Sequence, residues 1–135
     1  MKKQDQKIDV GKHVNYWIDS SDKDYKTMNH MFKTKDYNWS LFIGHLVIEK
    51  LLKALYVKVK EEHAVFSHDL LRIAEKAEID LTEDQKDILD TLTTFNINAR
   101  YDDFKTDFYK KCTPAFTEEW IKKIKQTRKW IKELL

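Results

Sequence analysis

Helix breakers and turn formers are nearly absent from this chain. Only Gly11, Gly44 and Pro114 interrupt 135 residues. Glycine and proline are the residues that cost most inside a helix and that most turn types require. Their scarcity points to long helices joined by few tight turns. No stretch sustains the alternation of apolar and polar residues that marks a strand. Hydrophobic residues make up 41% of the chain and aromatics 13%, enough to build a core.

The apolar spacing divides the chain. Val14, Trp17, Ile18, Tyr25, Met28 and Phe32 recur at helical spacing, with Ser21 filling one turn, and predict a helix over about Gly11–Lys33. "TKDYN" reads as a short connection with Asp36 as N-cap. Leu41, His45, Ile48, Leu52, Leu55, Tyr56 and Val59 form the stripe of a second helix, about Tyr37–Glu61. Ser67 is placed to cap a short helix over His68–Ala77. Thr82 and Gln85 form a capping box before a helix carrying Leu89, Leu92 and Phe95. A last helix is expected from near Thr117, after Pro114, with Trp120, Ile121, Ile124, Thr127, Ile131 and Leu134 as its seam. Residues 96–116 show little helical period and read as a long aromatic loop packed over the bundle. The expected fold is all-α: an up-and-down bundle of two long antiparallel helices plus about three more, one domain over 1–135, with residues 1–10 a frayed lead-in.

Composition narrows the function. Lysine and arginine total 25 against 23 acidic residues, a formal +2, so no strongly basic surface announces a nucleic-acid binder. The lysine-rich last helix reads as a solvated face with its tryptophans packed inward or against a second subunit; a contact with RNA backbone is the other reading. Cys112 is the only cysteine, which excludes an intrachain disulfide; its lysine neighbours favour a lowered thiol pKa, but no general base can be assigned to it. No secretory h-region and no uncharged apolar run of about 18 residues is present, so a cytoplasmic protein without membrane association is expected. No cofactor motif is found. His45 and Glu49 have ligand spacing, but the Glu-x-x-His partners of a bundle metal site are missing, so no metal is expected.

The stretch "IGHLVIEKLLKAL" carries the polar residues of interest. His45, Glu49 and Lys53 follow one another at intervals of four, which stacks them on one side of a helix. On a wheel His45 faces the core, Glu49 lies at the edge of the apolar stripe, and Lys53 lies further out. A carboxylate at that edge needs a partner from elsewhere. Arg100 is the first candidate and His68 the second. Two readings stand: a Glu49–Arg100 clamp holding the loop to the bundle, or a groove lined by Glu49, Lys53, His68 and Arg100 that accepts an anion.

Three blocks, "WSLFIGHLVIEKLLKAL" (Trp39–Leu55), "SHDLLRIAEKA" (Ser67–Ala77) and "NARYDD" (Asn98–Asp103), together resemble the signature blocks of HEPN domains in order and spacing. The resemblance covers nearly the whole chain. It implies a compact helical bundle that commonly homodimerises. It also implies association with a nucleotidyltransferase protein as partner, and a role in nucleotide or RNA binding. By position, Glu49, Lys50, Lys53, His68, Asp69, Arg100, Tyr101 and Asp102 match the family pattern and form the expected ligand groove. Many members are ribonucleases or toxins with an R-x(4–6)-H motif. Here none of Arg72, Arg100 and Arg128 is followed by a histidine at that spacing, and Asp102-Asp103 replaces a Pro-Asp. These departures point to a non-catalytic, dimeric binding module. The alternatives are a ribonuclease toxin with a variant centre, His68 with Arg100, and a purely structural dimeric interaction domain.

Overall fold

The computed structural model describes residues 8–135 and contains six helices: α1 (Val10–Lys33), α2 (Tyr37–Lys60), α3 (Leu70–Lys76), α4 (Glu83–Arg100), α5 (Asp102–Lys111) and α6 (Pro114–Leu134). The first seven residues of the expected lead-in lie outside the described residues. Among the described residues there is no strand, and no helix is long and apolar enough to cross a membrane. The all-α expectation holds.

α2 is the axis of the molecule. It packs against α1, α3, α4, α5 and α6. Every residue from Leu51 to Val57 is buried, whichever way it faces. Its partner α1 runs antiparallel: Ser40 Oγ donates to Met28 O at 2.9 Å, and Ser21 Oγ to Val47 O at 2.8 Å. Ser21 thus fills one turn of the α1 stripe with its hydroxyl satisfied, as a buried polar group must be. Gly44 lets α6 approach closely. A Cβ there would stand 2.4 Å from Ile124 Cδ1 and 3.2 Å from Met28 Sδ. Phe95 gathers the far side, with Phe108 at 5.3 Å and Trp120 at 5.4 Å between ring centroids.

The helix ends follow local chemistry with some corrections. Thr82 and Gln85 make the reciprocal capping box. Asp36 occupies the N-cap of α2, but its carboxylate accepts from Thr34 Oγ1 rather than from the helix. The short helix starts at Leu70, not His68. Asp69 is its cap, accepting from the Arg72 amide, while Ser67 Oγ accepts from Asp69 N–H one step earlier. The last helix starts at Pro114, not Thr117. Thr113 caps it, and proline suits the first position because its missing N–H would have no partner there.

The expected aromatic loop over residues 96–116 is the main correction. α4 continues through Arg100, and α5 follows after Tyr101 alone. Tyr101, Phe104, Phe108 and Cys112 keep three- and four-residue spacing. Asp102 and Asp103 occupy the first turn of α5 and Lys110 and Lys111 its last, which suits the helix dipole. "NARYDD" therefore spans a helix–helix junction rather than a loop.

Candidate functional site

The carboxylate of Glu49 is the centre of the site. It is 4% exposed, on the face of α2 turned toward the α2–α3 connection. Oε2 meets Lys53 Nζ at 3.1 Å, one turn along the helix. Oε1 accepts from His68 Nδ1 at 2.8 Å. Lys53 is itself buried, at 7% exposure, and its ammonium lies 5.4 Å from the Trp17 ring centroid. A wheel sets Lys53 outside the apolar stripe. α2 is covered on every side, so no outward face exists at that level.

His45 completes the group from below. It is fully buried, and its Nε2 lies 3.0 Å from the backbone carbonyl of His68. A carbonyl only accepts, so Nε2 carries the proton. The neutral ring then leaves Nδ1 as a lone pair, buried and without a protein partner. Burial pushes the His45 pKa below the ordinary histidine value. The contact with the His68 carbonyl and the charge of Glu49 oppose that shift, and the nearby His68 and Arg100 charges add to it. His45 thus anchors the His68 backbone, while Glu49 fixes its side chain. The His68 ring is 56% exposed, and its Nε2 has no protein partner among the described residues.

The predicted site residues divide into separate groups. Glu49, Lys53 and His68 converge. Lys50, one position on, faces α1, with Nζ 2.7 Å from Asp24 Oδ2 and 2.8 Å from Ser20 Oγ. Asp69 caps α3. Arg100 does not pair with Glu49: its Nε donates to Asn96 O at 3.1 Å, one turn back in α4. Its guanidinium lies 5.8 Å from the Phe42 centroid and 5.5 Å from that of Tyr101. The Glu49 carboxylate is taken up by Lys53 and the His68 ring, and Arg100 lies between two aromatic faces, so the expected clamp does not form. Tyr101 is exposed at the α4–α5 junction, and exposed Asp102 reaches Lys105 only at 3.9 Å.

Residues missed from sequence enlarge the Arg100 group. Trp39 stands edge-on to Phe42 at 5.9 Å, and Lys105 Nζ lies 5.9 Å from the Trp39 centroid. A signal existed in the four-residue spacing of Lys105 and Tyr109, but it falls in the segment read as loop. Two other expectations change. Cys112 is buried, and burial pushes its thiol up to about 11 against the weaker opposing effect of Lys111, so it is a poor nucleophile. On the basic last helix, Arg128 and Lys132 meet Asp22 of α1 at 3.2 and 2.8 Å, which takes two cations out of the solvated face.

Comparison with known proteins adds three findings. The crystal structure of TT1696 from Thermus thermophilus superposes with a TM-score of 0.77, at 19% identity, over 90% of this chain and 98% of that one; at that identity the likeness is one of fold. Among curated proteins nothing matches significantly. The HEPN domain family matches residues 14–134, the span that holds all six helices but for the first turn of α1. With its fold and nearly its whole length accounted for, the chain belongs to the HEPN domain family.

Proposed function

We propose that this chain is a non-catalytic binding module that works as a homodimer and takes a nucleotide phosphate through Arg100. The observation that carries the reading is the state of that guanidinium. It is exposed, it uses only Nε within the protein, and it is flanked by the Phe42 and Tyr101 rings. A planar guanidinium with free Nη groups recognises phosphate in bidentate fashion, and flanking rings offer a face to a base. Lys53 is assigned no ligand role, because its charge is buried against Glu49. The dimer half of the reading is supported by Phe66, which is 101% exposed beside His68. A nucleotidyltransferase protein remains the proposed heterologous partner.

Titration calorimetry with ATP, other nucleotides and short RNA tests the ligand half. Saturable heat that Arg100→Ala removes supports it; no heat with any of them refutes it. Light scattering tests the dimer, with a monomer at micromolar concentration as the refuting result.

One observation favours a second reading. A half-exposed histidine with Nδ1 held by a buried carboxylate has the arrangement of an oriented general acid or base. If His68 acts on RNA, purified protein cleaves RNA and His68→Ala abolishes cleavage. Intact RNA after prolonged incubation rejects that reading.

A further inference from the structure

A line of aromatic rings and cations runs across the surface from the α4–α5 junction to the first turn of α2. Tyr101 and Phe42 flank Arg100, Trp39 meets Phe42 edge to face, and Lys105 lies over Trp39. The longest step between neighbours is 5.9 Å, so the line is unbroken. Beyond Trp39 the surface drops into a shallow hollow of about 280 Å³ lined by Asn38, Trp39, Lys105, Thr106 and Tyr109. A second hollow of about 270 Å³ shares Asn38 and Tyr109 and adds Lys35 and Lys110. Together they form a groove between α2 and α5.

The rings are available. Tyr109 is 68% exposed, and Tyr101, Phe104 and Trp39 are exposed as well. Leaving such surface in water is unfavourable unless a partner covers it. The charge along the groove is mainly positive. Asp102 is the acidic residue on the groove side, beside Lys105. At 100° per residue, Asp107 falls roughly 160° round α5 from Tyr109, while Asp103 lies on the Lys110 side about two turns nearer the start of the helix. Asp36 is engaged by Thr34.

We infer that this groove seats single-stranded nucleic acid, with bases stacked on Tyr109, Trp39 and Tyr101 and the backbone tracked by Lys110, Lys105 and Arg100. The inference rests on the binding reading above and extends it from one phosphate to a strand. Cations spaced between partly exposed rings are the chemistry of strand-binding surfaces, where phosphates meet the charges and every base offers a face. The shape agrees: neither hollow reaches the ~300–1,000 Å³ of an enclosed small-molecule pocket, and two that share a wall suit an extended ligand.

Fluorescence anisotropy with labelled oligouridylate of four, eight and twelve nucleotides, matched oligothymidylate and an RNA duplex tests the inference on the full chain. Binding is expected to strengthen from four to eight nucleotides, to be weaker for the duplex, and to weaken with salt. Tyr109→Ala is expected to weaken it about 5- to 150-fold, the equivalent of ~1–3 kcal/mol per stacked base. Lys105→Ala and Lys110→Ala should each lower the slope of log K against log salt by about 0.7. All three positions lie on the surface of α5, and an unchanged melting temperature shows that the variants fold. Oligothymidylate bound as tightly as oligouridylate supports a strand site indifferent to the 2′-hydroxyl; tighter oligouridylate supports an RNA site. If the three variants bind like the wild type while Arg100→Ala does not bind, the groove is wrong and the phosphate reading stands. If no oligonucleotide binds, the groove is wrong, and calorimetry with ATP alone then decides the phosphate reading.

Discussion

Glu49 shows how one buried charge organises its surroundings. Its two oxygens are shared between Lys53 and His68, and all three groups depend on the arrangement. Removing one partner of a buried pair leaves the other charge uncompensated, which costs more than the pair contributes. Glu49→Ala is therefore expected to destabilise the fold by about 3–5 kcal/mol. Adding Lys53→Met should recover part of that loss, since the orphaned ammonium goes with it. Urea unfolding of the wild type, both single variants and the double variant measures the coupling; strictly additive losses would show that the two charges do not interact.

His45 sits beneath that pair and gives the fold a pH dependence. Its pKa is lowered chiefly by burial. Above the ordinary value of about 6.5 the ring is neutral in both folded and unfolded chains and adds no slope. As pH falls through that value the unfolded chain takes up a proton that the folded chain refuses. Stability therefore declines from about pH 7 downward, until the lowered folded pKa is passed. His45→Gln keeps an amide donor for the His68 carbonyl and removes the titration. Its melting temperature should fall less between about pH 7.5 and 5.5 than that of the wild type, and equal declines would exclude His45 as the source.

At the scale of elements, the contact of α2 with α6 depends on Gly44. Glycine in mid-helix sacrifices roughly 0.8–1.0 kcal/mol of helix propensity relative to alanine. Here it is retained because any Cβ would press on Ile124, itself fully buried. Gly44→Val adds three carbons to that contact. It is expected to cost about 1–3 kcal/mol or more through overpacking, read as a lower urea midpoint with an unchanged m-value. Gly44→Val/Ile124→Ala should recover part of the loss by making room.

Element boundaries also show which signals a sequence carries. The capping box at Thr82 and Gln85 is legible because it is a local reciprocal bond. The start of α6 at Pro114 follows from an equally local rule, the tolerance of proline in a first helical turn, but the charged pair at Glu118 and Glu119 draws attention to a later start. α5 is obscure for a different reason. Of its residues only Phe108 is buried, so the apolar stripe that marks other helices is here mostly exposed aromatic rings.

Across the whole molecule stability is unevenly distributed. α2 is enclosed by five other helices, whereas α5 rests on the bundle by Phe108 and the adjacent Cys112. Opening free energy tracks the buried apolar contacts that must be broken. Native-state hydrogen exchange should find the slowest amides in Val47–Val57, at the global unfolding free energy, and faster exchange through Asp102–Lys111. Equal protection in both segments would contradict this order. The proposed strand groove lies along the less protected helix.

The all-α class, the antiparallel α1–α2 pair, the family blocks and most of the apolar seams were legible in the order of the residues. They rest on periodicity, on caps and on the near absence of glycine and proline, all of which act over a few residues. Val59 and Leu134, expected in those seams, lie exposed near the ends of α2 and α6, where no further helix covers them. The partners of the charges came from tertiary packing alone. A wheel places Glu49 at an edge and Lys53 beyond it, as for a helix with one solvent face. α2 has none at the level of Lys53, so Lys53 is buried and turns to the nearest carboxylate, and that carboxylate takes His68 rather than Arg100. Arg100, left among Phe42, Tyr101 and their neighbours, belongs to another surface. A side chain's partner is set by which groups the packing brings within about 4 Å, and residues far apart in sequence supply most of them.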